Sequence, residues 1–183
     1  MHINAISNGQ GGQSTYLLYL ASQKKIEANL SITADTGSET DCLWSNGRRS
    51  TAKEYFEEVT KPLAESFGIE AVYVRAVNAD KQALLPIDKS ITASNFKKIS
   101  IPLYGSNGGQ LRQTCTSKWK IAAIHQEARR RGAKRLHTFQ GIHFGEASRR
   151  VKGHYIGKKF GFDAYKQIVE GKPVKWLSHS YPL

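Results

Sequence analysis

A glycine-rich turn joins the first strand-like segment of the chain to its first helix-like segment, and it reads Ser7-Asn8-Gly9-Gln10-Gly11-Gly12-Gln13-Ser14-Thr15. Glycines let successive backbone N–H groups face an anion, and a helix N-terminus adds partial positive charge. The turn lacks both the Gly-Lys-Ser/Thr ending of a Walker-type P-loop and the G-x-G-x-x-G spacing of dinucleotide-binding turns. It therefore indicates either a phosphate-binding loop of another type or a plain glycine-rich βα turn.

Strand-like and helix-like segments alternate along the rest of the chain. Short β-branched or apolar runs predict strands at residues 3–6, 30–34, 70–74, 99–104 and 135–140. Apolar positions at three- and four-residue spacing predict helices from about residue 14, over 50–67 with a kink or break at Pro62, and over 116–131. Residues 76–99 lack clear periodicity and are predicted to be a long connection with only local structure. The alternation predicts one α/β domain over residues 1–183, with a mostly parallel sheet flanked by helices.

The amino-acid composition indicates which class of protein this is and which kind of partner it binds. The 183 residues carry 27 Lys and Arg against 15 Asp and Glu, a formal charge of +12, which favours an anionic partner. A hydrophobic content of 39% and an aromatic content of 10% argue against disorder. No run approaches the roughly 18 apolar residues of a membrane span, and the first residues do not resemble a secretory signal. Two cysteines are too few for a disulfide framework, so we expect a cytoplasmic protein without a membrane partner.

Several motifs, in order along nearly the whole chain, resemble the phage and prophage type of phosphoadenosine phosphosulfate (PAPS) reductase-like proteins. These belong to the adenine nucleotide alpha-hydrolase superfamily, whose pyrophosphate loop usually reads S-G-G-x-D-S-T. The matching segments are the turn quoted above, Ala34-Asp35-Thr36-Gly37, Ile101-Pro102-Leu103, Gly109 through Thr116, Lys120-Ile121, Gly141-Ile142 with Glu146 and Arg149, and Tyr181-Pro182-Leu183. The resemblance implies a Rossmann-like adenine nucleotide alpha-hydrolase fold with a nucleotide at the carboxyl edge of the sheet.

The resemblance also implies a set of site residues. Those expected to bind the nucleotide are Ser7, Gly9, Gly11, Gly12, Gln13, Ser14, Thr15, Asp35, Thr36 and Gly37. Those expected to line the substrate site are Arg112, Cys115, Thr116, Gly141 and Glu146. Lys120 and Arg149 are expected to contact phosphate or sulfate and to act in catalysis. The implied ligand is ATP or PAPS, with Mg²⁺ as its counter-ion, and the implied reaction is in-line attack at the α-phosphate.

Two departures from the family pattern limit the chemistry. Gln13 stands where the pyrophosphate loop usually has an aspartate, as in the phage variant, and an amide cannot hold a metal ion or take a proton as a carboxylate can. No cysteine follows Cys115, so we expect no iron–sulfur cluster and no reduction of a sulfonucleotide by this chain alone. Either the chain lacks a C-terminal segment after Leu183, or the family chemistry is reduced to nucleotide binding and cleavage beside the α-phosphate.

Alternative interpretations remain at several positions. Asp35 is also typical of an Asx turn at a strand end, and Cys115 of a small buried residue. Residues 152–160 interleave cations with aromatics, a pattern that suits DNA or RNA as well as an ordinary basic surface. Two rival functions follow: a non-catalytic nucleotide- or nucleic-acid-binding module, and a basic nucleic-acid binder without a nucleotide pocket. An oligomer is compatible with either rival function and with the enzyme acting at the α-phosphate.

Overall fold

The structure of the chain, a computed structural model, describes residues 1–37, 42–44, 46–93, 116–141 and 177–180. Its strands are β1 (His2–Asn8), β2 (Leu30–Asp35), β3 (Cys42–Leu43), β4 (Arg49–Ser50), β5 (Glu70–Arg75), β6 (Arg135–Gln140) and β7 (Leu177–Ser180). Its helices are α1 (Gly12–Ser22), α2 (Ala52–Tyr55), α3 (Lys61–Ser66), α4 (Ile87–Ala93) and α5 (Ala122–Arg130). Two π-helical segments, Phe56–Thr60 and Thr116–Ile121, lead into α3 and α5.

Five of the strands form one sheet in the order β5-β2-β1-β6-β7, and every pairing in it is parallel. β1 lies at the centre, with Ser7 opposite Ile32 of β2 on one side and Gln140 of β6 on the other. β3 and β4 form a separate antiparallel pair. The prediction of an α/β chain with a mostly parallel sheet and flanking helices is therefore confirmed.

The central strand separates two apolar layers. Successive side chains of a strand point to opposite faces of the sheet, and both Ala5 and Ile6 are fully buried. Ile6 belongs to the layer formed with α1, the π-helical segment Phe56–Thr60 and α3, whose members include Leu17, Leu18, Phe56 and Ala64. Ala5 belongs to the layer formed with α5, whose members include Ile32, Ile124, Ala128 and Leu136. Burial on both faces is typical of a parallel sheet covered by helices.

The predicted break at Pro62 takes the form of a π-helical turn, and the chain remains helical from α2 to α3. Proline has no N–H and cannot donate to the preceding turn. Lys61, the residue before it, donates its N–H to the carbonyl of Phe56 five positions back, which widens the helix by one residue. Pro62 then lies in the first turn of α3, where the missing donor costs little.

Four elements were not predicted. Residues 87–93 form α4 within the connection that was predicted to have only local structure, and residues 94–99 of that connection lie outside the described residues. The pair β3–β4 consists of two-residue strands, which are too short to show an alternating pattern. β7 contains Leu-Ser-His-Ser, which carries little strand signal, and it is placed by pairing with β6. The strand predicted at residues 99–104 and the tail at residues 152–160 lie outside the described residues.

A cluster of ion pairs joins the end of α5 to the start of β5. The Glu127 side chain is only 5% exposed and accepts hydrogen bonds from Arg130 Nε at 2.8 Å and Arg131 Nε at 2.6 Å. Arg131 also donates hydrogen bonds to the Glu70 carboxylate, from Nη1 to Oε2 at 2.7 Å and from Nη2 to Oε1 at 2.6 Å. The hydrogen bond from Arg130 lowers the pKa of Glu127, and the one from Arg131 lowers the pKa of Glu70.

We expect Glu127→Gln to lower the free energy of unfolding at pH 7 by about 1–3 kcal/mol, because it leaves two arginines beside a neutral amide. A carboxylate whose pKa is lowered by folding stabilises the protein above its unfolded pKa, and that contribution disappears as the pH falls through the folded pKa. In urea unfolding, the free energy of unfolding of wild type should therefore fall as the pH drops below 4.5, the usual pKa of a glutamate such as Glu127. The free energy of unfolding of the variant should fall less over the same pH range. Glu57→Gln is the control, since Glu57 forms an exposed pair with Lys61 at 3.6 Å, whose loss should cost under about 0.5 kcal/mol.

Candidate functional site

The carboxyl ends of the parallel strands meet at one edge of the sheet. β1 ends at Asn8 and its neighbour β6 ends at Gln140. The next strand of this sheet after β1 is β2, which lies on the side of β1 away from β6. The next strand after β6 is β7, which lies on the side of β6 away from β1. Strands whose connections diverge in this way leave a crevice between their carboxyl ends, which is the usual ligand site of open α/β sheets.

A cleft of about 260 Å³ occupies this position between β1 and β6. Its described lining consists of Ser7, Gly9, Gly11, Gln13, Ser14, Gln140 and Gly141. The structure thus brings five residues expected at the nucleotide site together with Gly141, which was expected to line the substrate site. Gln140 was not predicted, although its place at the end of a strand was. Only the pairing of Ser7 with Gln140 shows that it belongs to the cleft.

The turn after β1 is fastened to its surroundings by two amide side chains. Asn8 is buried, accepts the N–H of Gln10 at 2.7 Å through Oδ1, and donates from Nδ2 to Ser31 Oγ at 3.1 Å. Gln10 adopts a left-handed conformation with φ 60° and donates from Nε2 to the carbonyl of Ala52 at 2.9 Å. These bonds tie the loop to β2 and α2. Neither Asn8 nor Gln10 has a role that its position in the sequence predicts, because their partners lie 23 and 42 residues away.

The first turn of α1 opens into the cleft without a side-chain cap. Gly11 is the N-cap residue, and it has no side chain that can accept from the first helical N–H groups. Ser14 and Thr15 were expected to add hydroxyl donors for a phosphate. In the structure Ser14 Oγ accepts from the N–H of Gly11 at 3.2 Å and donates to its carbonyl at 3.0 Å. Thr15 Oγ1 donates to the same carbonyl at 3.2 Å. The hydroxyls thus hold the turn, and Gly11, Gln13 and Ser14 of this turn line the cleft.

The glycines at this site serve two different purposes. A Cβ atom on Gly9 or Gly12 would meet nothing within 4 Å, one on Gly11 would only touch Gln13 Oε1 at 3.5 Å, and none of the three has a positive φ. A Cβ atom on Gly141 would lie 2.8 Å from the carbonyl carbon of Gln13 and 2.9 Å from the backbone nitrogen of Ser14. Packing therefore requires glycine only at position 141. At Gly9 and Gly12 the missing side chain leaves the backbone uncovered, whereas the N–H of Gly11 already donates to Ser14 Oγ.

The electrostatic character of the cleft comes from the backbone. No charged side chain is among its described lining residues, and the first turn of α1 has no acidic residue. The partial positive charge of the helix N-terminus is thus not offset by a carboxylate there, which favours an anion. Magnesium ions prefer carboxylate and phosphate oxygens. The described lining supplies no carboxylate, and no cluster of three His, Cys, Asp or Glu residues occurs within the described ranges.

The segment Asp35-Thr36-Gly37 ends β2, next to the loop after β1. Asp35 Oδ1 accepts the N–H of Gly37 at 2.7 Å, so the Asx turn that is one of the two predictions for Asp35 is present. Arg75 donates to Oδ2 from Nε at 2.9 Å and from Nη2 at 2.6 Å. Thr36 is buried, and Gly37, with φ 73°, leaves no room for a Cβ atom beside Pro86 at 2.8 Å. None of the three lines the cleft, and their expected contact with the nucleotide remains a prediction.

The other expected site residues either do not line the cleft or lie outside the described residues. Gly12 directly precedes the lining residue Gln13. Lys120 is half-buried in the π-helical segment before α5, a segment that begins at Thr116, and neither is among the described lining residues. Their roles remain predictions. Four further residues lie outside the described part of the chain: Arg112, Cys115, Glu146 and Arg149.

Comparison with protein-family models, with curated proteins and with solved structures finds no match for this chain. Within the described ranges, no helix has the length and apolar character needed to cross a membrane.

Proposed function

We propose that the chain binds an adenine nucleotide, ATP or PAPS, with its phosphates in the cleft between β1 and β6, and that it acts at the α-phosphate. The observation that carries the proposal is the N-terminus of α1, which has no side-chain cap and lies at the cleft between β1 and β6. Gly9 and Gly11 line the cleft there, and packing does not require glycine at either position. Backbone N–H groups at a helix N-terminus are a general solution for binding phosphate.

The size of the cleft favours a phosphate chain over a whole nucleotide. Pockets that enclose drug-sized ligands measure about 300–1,000 Å³, and this cleft measures about 260 Å³. We propose that the nucleoside extends towards the end of β2, where Asp35 and Gly37 border it. Adenine as the base, and the adenine nucleotide alpha-hydrolase version of the α/β fold, rest on the motifs described above.

The proposed reaction is in-line displacement at the α-phosphate. An oxygen atom of water or of an acceptor bonds to the α-phosphorus, the bond to the bridging oxygen breaks, and the nucleophile loses its proton to solvent. The leaving group is pyrophosphate when the ligand is ATP and sulfate when it is PAPS. The first N–H groups of α1 would stabilise the charge that develops on pyrophosphate. Lys120 and Arg149 are proposed to supply positive charge. Mg²⁺ would come with the nucleotide as its counter-ion, because the described lining offers it no carboxylate.

The test is incubation with Mg²⁺–ATP followed by product identification. We expect AMP or an adenylated acceptor together with pyrophosphate. Formation of ADP and phosphate would place the reaction at the wrong phosphorus, and no calorimetric binding of ATP, PAPS or pyrophosphate would refute the nucleotide site. Lys120→Met should slow pyrophosphate release by at least about tenfold if Lys120 stabilises the transition state. Lys118→Met is the matched control, because Lys118 is exposed and lies over the Trp119 ring.

One observation favours a second candidate, a nucleotide-binding module without catalysis. The described lining contains neither a charged side chain nor a general base. Tight ATP binding without pyrophosphate release, with or without an added acceptor, would support this module over the enzyme.

A further inference from the structure

Two tyrosines stand on the outward face of α1. Tyr16 is 49% exposed and Tyr19 is 46% exposed, and their ring centroids lie 5.8 Å apart with the planes inclined by 30°. Among the aromatic side chains that the structure describes, only these two are exposed. Aromatic rings carry a large apolar surface, so a pair left in water is characteristic of a surface that binds something.

The pair lies on the helix whose N-terminus forms the proposed phosphate site. α1 rises about 1.5 Å per residue, which puts Tyr16 and Tyr19 about 3 and 8 Å along the helix from the lining residue Ser14. Beyond the end of α1 follow Lys24 and Lys25, both exposed. Polar Thr15 and Gln23 lie on the same exposed side. A chain of phosphates that passes these tyrosines would therefore meet positive charge at one end and the helix N-terminus at the other.

We propose that Tyr16 and Tyr19 form a stacking platform for the bases of a single-stranded nucleic acid, which binds along α1 next to the cleft. The inference rests on the proposed function, to which it adds a nucleic-acid partner. Base stacking on aromatic side chains, combined with lysines that follow the backbone, is the general mode of single-strand binding. The formal charge of +12 suits such a ligand. Two rings surrounded by polar residues form too small an apolar patch for a stable protein interface.

The experiment is fluorescence anisotropy of a labelled 15-nucleotide oligothymidylate with the full chain. We expect the double variant Tyr16→Ala/Tyr19→Ala to bind at least about fivefold more weakly, and up to about a hundredfold for each stacked base. Tyr16→Phe/Tyr19→Phe is the matched control and should bind within about twofold of wild type, because it keeps both ring faces. An abasic strand of equal length should bind wild type and the alanine variant alike.

Salt dependence separates stacking from charge. The alanine variant should keep the wild-type slope of log K against log salt, because stacking releases no counter-ions. Lys24→Gln/Lys25→Gln should reduce that slope by about 1.4, because each phosphate that a lysine no longer neutralises lowers it by about 0.7. Equal oligothymidylate affinity of wild type and the alanine variant would overturn the proposal. So would equal wild-type affinity for the single strand and for a duplex, whose stacked bases are hidden.

Titration with ATP distinguishes failure of this inference from failure of the proposed function. Neither tyrosine lines the cleft, so the alanine variant should bind ATP within about twofold of wild type. Intact ATP binding with no tyrosine-dependent binding of the oligonucleotide overturns the platform alone. Tyrosine-dependent binding of the oligonucleotide with no ATP binding overturns the nucleotide site alone. Thermal unfolding of each variant checks that the exposed substitutions leave the fold intact.

Discussion

Gly141→Ala is expected to destabilise the protein by about 1–3 kcal/mol and to abolish nucleotide binding. The added methyl group would lie 2.8 Å from the carbonyl carbon and Cβ of Gln13 and 2.9 Å from the backbone nitrogen of Ser14. Real Cβ atoms do not approach backbone this closely, so the end of β6 or the start of α1 must move, at the usual cost of overpacking. Either movement displaces the N–H groups proposed to hold the phosphates.

Gly12→Ala is the matched control for this prediction. It lies one residue before Gln13, has nothing within 4 Å of its added Cβ atom, and occupies the first position of α1. Alanine favours helix over glycine by up to about 1 kcal/mol, so we expect stability equal to or above that of wild type. Urea unfolding and ATP calorimetry measure both effects. Wild-type stability and affinity in Gly141→Ala would contradict the close approach of β6 to the loop.

Gly11→Asp should weaken ATP binding by at least about tenfold while leaving the fold at least as stable. Gly11 has the extended conformation of an N-cap residue, with φ −93° and ψ 169°, and has room for a side chain. Aspartate there caps the helix and complements its dipole, which should raise the free energy of unfolding by about 0.3–1 kcal/mol. The same carboxylate repels a phosphate about 5 Å away by about 3 kcal/mol at an effective dielectric constant of about 20.

Gly11→Asn separates charge from size in this experiment. Asparagine has nearly the same shape as aspartate and caps helices equally well, but it carries no charge. We expect it to lower ATP affinity severalfold less than aspartate does, with similar thermal stability. If the two variants bind ATP equally, whether strongly or weakly, no phosphate lies next to the N-terminus of α1.

Local patterns predicted the elements that fix the position of the site. The four strands β1, β2, β5 and β6 fall where β-branched and apolar runs predicted them, because strands buried on both faces carry a strong apolar signal. The position of the glycine turn between β1 and α1 follows from the same pattern. The interruption expected at Pro62 exists, although as a π-helical turn, since sequence shows the missing donor but not how the helix adapts.

Contacts between distant residues were beyond the reach of sequence patterns. Gln140 reaches the cleft only through the pairing of β6 with β1, and the need for glycine at position 141 comes from its approach to Gln13, 128 residues earlier in the chain. The bonds of Asn8 to Ser31 and of Gln10 to Ala52 are of the same kind. The exposure of Tyr16 and Tyr19 could not be predicted either. The sequence of α1 is rich in apolar residues, so it does not indicate which face of the helix the rest of the protein covers.

The central claim is that the N–H groups at the start of α1 bind phosphate. The most direct measurement is a two-dimensional amide NMR titration of the full chain with inorganic pyrophosphate. The account predicts that the largest shift changes occur at Gly9, Gly11, Gly12, Gln13 and Gly141, with one common dissociation constant, and that they are lost in Gly11→Asp. Saturating shifts elsewhere, with these five amides unmoved, would contradict it.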